Sequence, residues 1–201
     1  MRFRTTNVAL LFCVLLSGTY TSVFSQLSDK DLNVDDNKLR MEFEPGLFFN
    51  NGRSLNVLYT VTSDNNLSAG IYLMTSDVPD AFHNNMFKNI LPLTHIRATE
   101  EYAVNFRYRI KLFRKFESNP YVGIILGWEE IKLTNPNLAD LKYTTFLVTP
   151  HLGYEVYLYK KMLYMNVQLR SVFYVGSQKS DDTRLEELNR FWILPSLSIG
   201  L

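Results

Sequence analysis

The chain has 201 residues, with 21 Lys+Arg against 20 Asp+Glu, a formal net charge of +1 and a single cysteine. That length suits one domain of ordinary size, and the near-neutral charge excludes the basic field that nucleic-acid binding needs. Aromatic residues make up 14% of the chain, and after the N-terminus no apolar run approaches the roughly 18 residues of a membrane helix, which leaves strands as the way across a bilayer.

Residues 1–25 have the form of a cleavable secretory signal. Arg2 and Arg4 supply the charged start, Val8 to Leu16 the short apolar core, and Val23-Phe24-Ser25 an A-x-A-like cleavage site before Gln26. An N-terminal anchor helix is the competing reading, but the core is too short for one. Cys13 lies within this core, so the mature chain is expected to stand without disulfides. Residues 26–38, with Asp29, Asp31, Asp35 and Asp36, form a polar N-terminal tail.

The barrel domain, residues 39–201, is a succession of segments that alternate with a period of two. Leu39 to Phe49 sets Leu39, Met41, Phe43, Leu47 and Phe49 against Arg40, Glu42 and Glu44. After the Asn51-Gly52 turn signal, Leu55 to Thr62 sets Leu55, Val57 and Tyr59 against Asn56 and Thr60, and Leu67 to Thr75 follows the turn at Asp64 to Asn66. Asp77 to Glu101 breaks the pattern as a long loop with Pro79 and Pro92, in which Phe82 to Ile90 suggests a short amphipathic helix. In Tyr102 to Lys115 the alternation is sharpest: Tyr102, Val104, Phe106, Tyr108, Ile110 and Leu112 against Asn105, Arg107, Arg109 and Lys111. Tyr121 to Lys132 follows a turn at Glu117 to Pro120, and Thr144 to Tyr159 follows a medium loop at Leu133 to Lys142. Leu163 to Val175 follows the Lys160-Lys161 turn, and Phe191 to Leu201 follows a polar loop at Gly176 to Arg190.

Eight strands joined in chain order form an antiparallel up-and-down meander. Its even connections (Ser63–Asn66, Glu117–Pro120, Lys160–Met162) are short, and three of the four odd ones are long. Short turns at one end and long loops at the other mark a transmembrane barrel with its N-terminus periplasmic. The polar faces carry Arg40, Glu42, Glu44, Arg107, Arg109, Lys111, Glu129, His151, Glu155 and Arg170, and the opposite faces almost no charge. Turned inward, this sign-balanced set makes a lumenal charge network, with Arg107 or Arg109 in reach of Glu129 on the neighbouring strand. The large outward side chains exceed what an eight-stranded lumen holds, which disfavours the rival reading, a secreted soluble ligand-binding barrel. Aromatics near strand ends (Phe49, Tyr102, Tyr121, Trp128, Tyr154, Phe173, Phe191 and Trp192) suit interfacial girdles. Pro45, Pro150 and Pro195 fall within predicted strands on apolar faces, which predicts bulges or strand stretches beyond the hydrocarbon.

The final segment, Phe191-Trp192-Ile193-Leu194-Pro195-Ser196-Leu197-Ser198-Ile199-Gly200-Leu201, resembles the last strand of small bacterial outer-membrane β-barrel proteins, and Thr149-Pro150-His151-Leu152-Gly153-Tyr154-Glu155 is similar to a recurring strand of that family. The resemblance implies residence in a bacterial outer membrane, contact with its lipid and recognition by barrel-assembly machinery. Some barrels of this kind are lipid-modifying enzymes that use Ser, His and an acid near the external rim. Ser76, Asp77 and His83 are the residues at such a rim, with solvated loop residues the plainer reading; His95 has no evident partner, and His151 and Glu155 share one inward face, as a hydrogen-bonded pair in the plainer reading and a proton-handling site in the other. No metal-ligand spacing, phosphate loop or nucleophile motif is present, so no cofactor is expected and a structural or surface-interaction role outranks an enzymatic one. A protein or glycan ligand would meet the external loops, 76–101 and 176–190. The longer of them is expected to cover the barrel mouth, lie on lipid or dock a partner.

Overall fold

The computed structural model describes residues 38–62, 66–110, 118–159 and 163–201. The signal and almost all of the tail, Lys111, and the turns at Asp64-Asn65 and Lys160-Lys161 lie outside the described residues.

Ten strands are present among the described residues: β1 (Leu39–Phe43), β2 (Arg53–Thr60), β3 (Leu67–Asp77), β4 (Phe87–Lys88), β5 (His95–Arg109), β6 (Ser118–Asn135), β7 (Leu138–Tyr159), β8 (Leu163–Lys179), β9 (Glu187–Leu188) and β10 (Phe191–Gly200). Eight of them close in the order β1-β10-β8-β7-β6-β5-β3-β2, while β4 and β9 form a separate two-stranded sheet. Closure pairs every strand of the ring with two neighbours, the condition for a sheet in hydrocarbon. The closing contact is brief. Glu42 faces Gly200, Phe43 faces Ile199, and Met41 and Leu201 exchange backbone hydrogen bonds of 2.9 and 2.8 Å.

The period-two pattern sets which side faces out. On β5, Tyr102 is 57% exposed and Tyr108 50%, whereas Asn105 and Arg107 between them are 0% and 1% exposed. The interior has two layers. The layer nearer the β2–β3 and β7–β8 turns is polar. The layer nearer the long loops is apolar, built from Ile125, Leu147 and Val172 and, further out, Ile96, Ile131, Leu133, Leu141 and Tyr143. Between β3 and β5 the chain forms helix α1 (Asp80–Met86) and β4, so Met86 and Phe87 are buried in that outer layer. The Phe87 and Tyr143 rings pack 5.3 Å apart. The long loop therefore folds over the mouth of the barrel, and charged side chains fill only part of the lumen.

Several expected boundaries move, each for a physical reason. The first strand stops at Phe43, because Pro45 opens a 3-10 helix, Pro45–Asn50, that leaves Phe49 91% exposed. The helix in the long loop spans Asp80–Met86, earlier than Phe82–Ile90, and His95 to Glu101 belongs to β5. The loop expected at Leu133–Lys142 is a tight hairpin: Leu133 pairs with Leu141 and Asn135 with Leu138, and Asn135 Oδ1 accepts from the Asn137 amide at 3.0 Å. Strand β8 runs on to Lys179, which shortens the next loop, and β6 already includes Ser118 to Pro120. At 18 and 22 residues, β6 and β7 exceed the ~9–11 that a strand needs to cross a bilayer.

No register shift falls at Pro150 or Pro195. Pro195 pairs with Leu169 inside an unbroken ladder. Leu201 bonds β1, so alternation turns Ile199, Leu197 and Pro195 toward that same side. Strand β1 ends too soon to reach Pro195, which gives up no ladder bond there. Tyr121 is 1% exposed and points inward, not into a girdle. A Cβ at Gly153 would stand 2.2 Å from its ring, so the glycine makes the room that Tyr121 fills.

Candidate functional site: the barrel interior

Strands β1 and β5 place the central pair of the polar layer. Arg107 donates to both carboxylate oxygens of Glu42, at 2.5 and 2.6 Å. The same carboxylate accepts from Asn56 Nδ2 at 2.8 Å and from the Tyr164 hydroxyl at 2.8 Å. Arg107 also lies over the Tyr121 ring, 4.7 Å from its centroid, in the geometry of a cation–π contact. Glu155 on β7 gathers Arg40 at 2.8 Å and Arg109 at 3.1 Å, with Arg107 at 3.8 Å. Arg40 donates in addition to Ser68 Oγ at 2.8 Å.

One level further out, Arg170 on β8 bonds Glu44 at 2.6 Å and the Tyr72 hydroxyl at 2.9 Å. Tyr72 in turn donates to Glu44 at 2.8 Å. A buried ion pair is stable only when its remaining hydrogen-bonding capacity is also met; Glu42 satisfies that condition at both oxygens, while Arg170 and Tyr72 both bond Oε1 of Glu44. Several nitrogens do not: Arg40 Nε, Arg107 Nε, Arg170 Nε and His151 Nε2 have no hydrogen-bond partner among the described residues.

Register decides the partners. Strands β5 and β6 set Arg107 opposite Gly123 and Glu101 opposite Glu129. Neither Arg107 nor Arg109 meets Glu129, contrary to expectation. The polar partner of Glu129 is the Tyr174 hydroxyl, which itself accepts from Trp192 Nε1 at 3.3 Å. His151 and Glu155 do not pair: His151 Nδ1 contacts Thr149 O at 3.3 Å and its ring stands edge-on to Tyr121. They sit four residues apart along a strand, which separates their side chains by two inward positions. Glu101, Tyr72 and Tyr174 are not singled out by the sequence. The cross-strand position of Glu101 emerges only once the register is known.

The rim residues do not assemble a nucleophile and a base. Ser76 Oγ donates to its neighbour Asp77 O at 2.9 Å. His83 Nε2 contacts Val78 O at 2.8 Å, with Asp80 at 3.6 Å. Asp77 instead binds Arg97 at 2.6 Å and His95 at 3.2 Å, which gives His95 a partner.

Between the polar layer and the cap lies a cavity of about 290 Å³. Its floor includes Glu44, Arg170, Glu101 and Glu129, and its walls include Met74, Met86, Leu147 and Trp192.

No protein-family model matches the chain, and no curated protein matches it. Among solved structures it is similar to Neisserial surface protein A, at 10% identity and a TM-score of 0.49, over 81% of this chain and 90% of that one. It is also similar to a major outer membrane protein from Thermus thermophilus, at 12% identity and a TM-score of 0.48, over 81% of this chain and 97% of that one.

Proposed function

We propose that the chain is a non-conducting barrel of a bacterial outer membrane that acts through its external cap. The apolar exterior of the closed sheet supports residence in lipid, since a water-facing barrel has no use for Tyr102, Val104, Phe106 and Tyr108 along one outward row. Eight strands make a narrow lumen, and in its inner half side chains from opposite walls meet across the axis. The observation that carries the reading is the cap. Loops 78–94 and 180–190 are tied together by the pairing of Phe87 with Leu188 and Lys88 with Glu187, and they present Leu93 and Leu185, 74% and 71% exposed, to the outside. A rigid cap with exposed apolar residues suits contact with a protein or glycan at the cell surface.

Two measurements test this. In planar bilayers the purified protein should show no stepwise conductance, and recovery of the native chain in a salt-washed soluble fraction would refute the membrane assignment. Leu93→Asp with Leu185→Asp should abolish adhesion of protein-coated beads to protein and glycan arrays, while heat-resistant electrophoretic mobility persists. Undiminished adhesion would remove the cap from the function.

A further inference from the structure

We propose that the cavity beneath the cap binds an amphiphilic ammonium compound, a short hydrocarbon body with one positive nitrogen, admitted from the bilayer through the seam between β10 and the 3-10 helix. Three observations lead there. The first is the floor. Glu101 and Glu129 are cross-strand partners, 7% and 4% exposed, and both border the cavity. Glu101 has neither a hydrogen bond nor an ion pair among the described residues, and Tyr174 is the polar partner of Glu129. Among the described residues Arg170 is the sole cation bordering the cavity, and Glu44 holds it at 2.6 Å. Two adjacent carboxylates in an apolar enclosure require a proton or a cation between them. A bound ammonium supplies charge and donors together.

The second observation is the wall. Met74, Phe82, Met86, Leu147, Val172 and Trp192 line it, so an inorganic cation would leave most of this surface without a partner. The volume of about 290 Å³ sits at the small end of the ~300–1,000 Å³ of ligand pockets. A space of this size suits one short chain better than a two-chain lipid body.

The third observation is the seam. Strand β1 stops at Phe43, so the outer half of β10 has the 3-10 helix, not a strand, at its side. Trp192, Leu194 and Ser196 point inward yet are only half-buried, whereas Glu129, Leu147 and Val172, inward on other strands, are buried. The outward residues Pro195 and Leu197 also border the cavity, as do Gly46 and Leu47 of the 3-10 helix. The opening therefore passes around the edge of β10 toward the lipid-facing surface. This access route rests on the proposed membrane function; the binding site does not.

The test uses Trp192 as its reporter. The chain has two tryptophans, and Trp128→Phe removes the exterior one. The full-length protein, folded in maltoside micelles, is titrated with decylammonium chloride, decyl sulfate and a neutral decyl glycoside. Decylammonium should change Trp192 emission saturably, at least tenfold more tightly than decyl sulfate. Glu101→Gln with Glu129→Gln should weaken it at least tenfold, at unchanged heat-resistant mobility. Should that variant not fold, Ala98→Leu fills the cavity from β5, leaves both carboxylates in place and must abolish the response. Equal response to all three probes, no saturable response to any, or an unaltered titration in the Gln or Leu variant overturns the site. Ser196→Trp should slow uptake of decylammonium already dissolved in vesicle bilayers, and unchanged uptake overturns the seam as the route. Native mass spectrometry of freshly extracted protein then separates the sources: a co-purifying amine-bearing lipid fragment marks the membrane, and an empty site that still takes up decylammonium marks an external amine. A chain recovered from the soluble fraction that still binds decylammonium would refute the membrane reading while leaving the site intact.

Discussion

Glu42→Gln should destabilise the folded barrel by ~3–5 kcal/mol, the range for breaking a buried, fully partnered ion pair. Four donors converge on the carboxylate: two nitrogens of Arg107, Asn56 Nδ2 and the Tyr164 hydroxyl. Glutamine keeps one acceptor oxygen and turns an amide, itself a donor, toward the rest. Two charge-assisted contacts, each worth ~1.5–3 kcal/mol, lose their acceptor, and Arg107 remains at 1% exposure without its carboxylate. Removing the guanidinium as well relieves the crowd of donors. The double variant Glu42→Gln/Arg107→Met should therefore recover more than half of the loss, because the glutamine oxygen then accepts from Asn56 Nδ2 while its amide nitrogen donates to the Tyr164 hydroxyl, which stands at the other carboxylate position. Urea unfolding in detergent micelles, followed by tryptophan emission and by heat-modifiable mobility, gives the four stabilities of the cycle. Additive losses would refute the reasoning, since residues that share one network must couple. So would a loss below ~1 kcal/mol for Glu42→Gln, the scale of an exposed pair.

Other outcomes follow from the same geometry. Gly153→Ala should displace the Tyr121 ring, which lies 2.2 Å from where the new Cβ would stand, and so break the 2.8 Å bond from Tyr121 to Asn166; a loss of ~1–3 kcal/mol in the same unfolding assay is expected, and a neutral result would mean that the ring is not held where it lies. In the cap, burial raises the Glu186 carboxyl, but hydrogen bonding and charge from Arg184 outweigh it and hold it below its ordinary value of 4.5. A group depressed in the folded state stabilises above its unfolded value and loses that contribution as pH falls through the folded one. Amide protection of residues 183–188 should therefore hold above about pH 4.5 and fall on further acidification. Glu186→Gln should start lower at neutral pH and lack that acid step, and an identical step in the variant would refute the assignment.

The alternation of Tyr102 to Arg109 is legible as a strand because its large apolar side chains never share a face with Asn105, Arg107 and Arg109, and the same parity continues through Trp128 and Glu129 on β6. What the sequence withholds is long-range. Arg107 and Glu42 are 65 positions apart, and no local pattern says that they meet, because a shift of two residues in any ladder would keep every face and change every partner. The distal parts of β6 and β7 escape for a different reason. There Ile131, Leu133 and Leu141 point inward against Met86 and Phe87, so the inward side is apolar and the rule that equates the lumen with charge fails. Their hairpin consequently has the composition of a loop. Pro45 misleads in the same manner: Phe43, Leu47 and Phe49 keep the strand period across it, yet the proline starts a 3-10 helix and the last two leave the wall.

These departures are connected. A full-length β1 would have run beside β10 past Pro195 and closed the wall there. By ending at Phe43, it leaves the proline facing no donor-seeking neighbour and leaves Ser196 and Leu194 half-buried behind it. An inward-folded α1 and β4 then complete the apolar ceiling that a charged lumen lacks. The β5–β6 register that sets Arg107 opposite Gly123 places Glu101 against Glu129 six residues further along the same ladder. A ladder shifted by two residues would have set Glu101 against Ile131 or Gly127 and left no paired acids beneath the ceiling. The register of this one ladder thus decides whether the upper lumen is merely empty or charged to receive a cation.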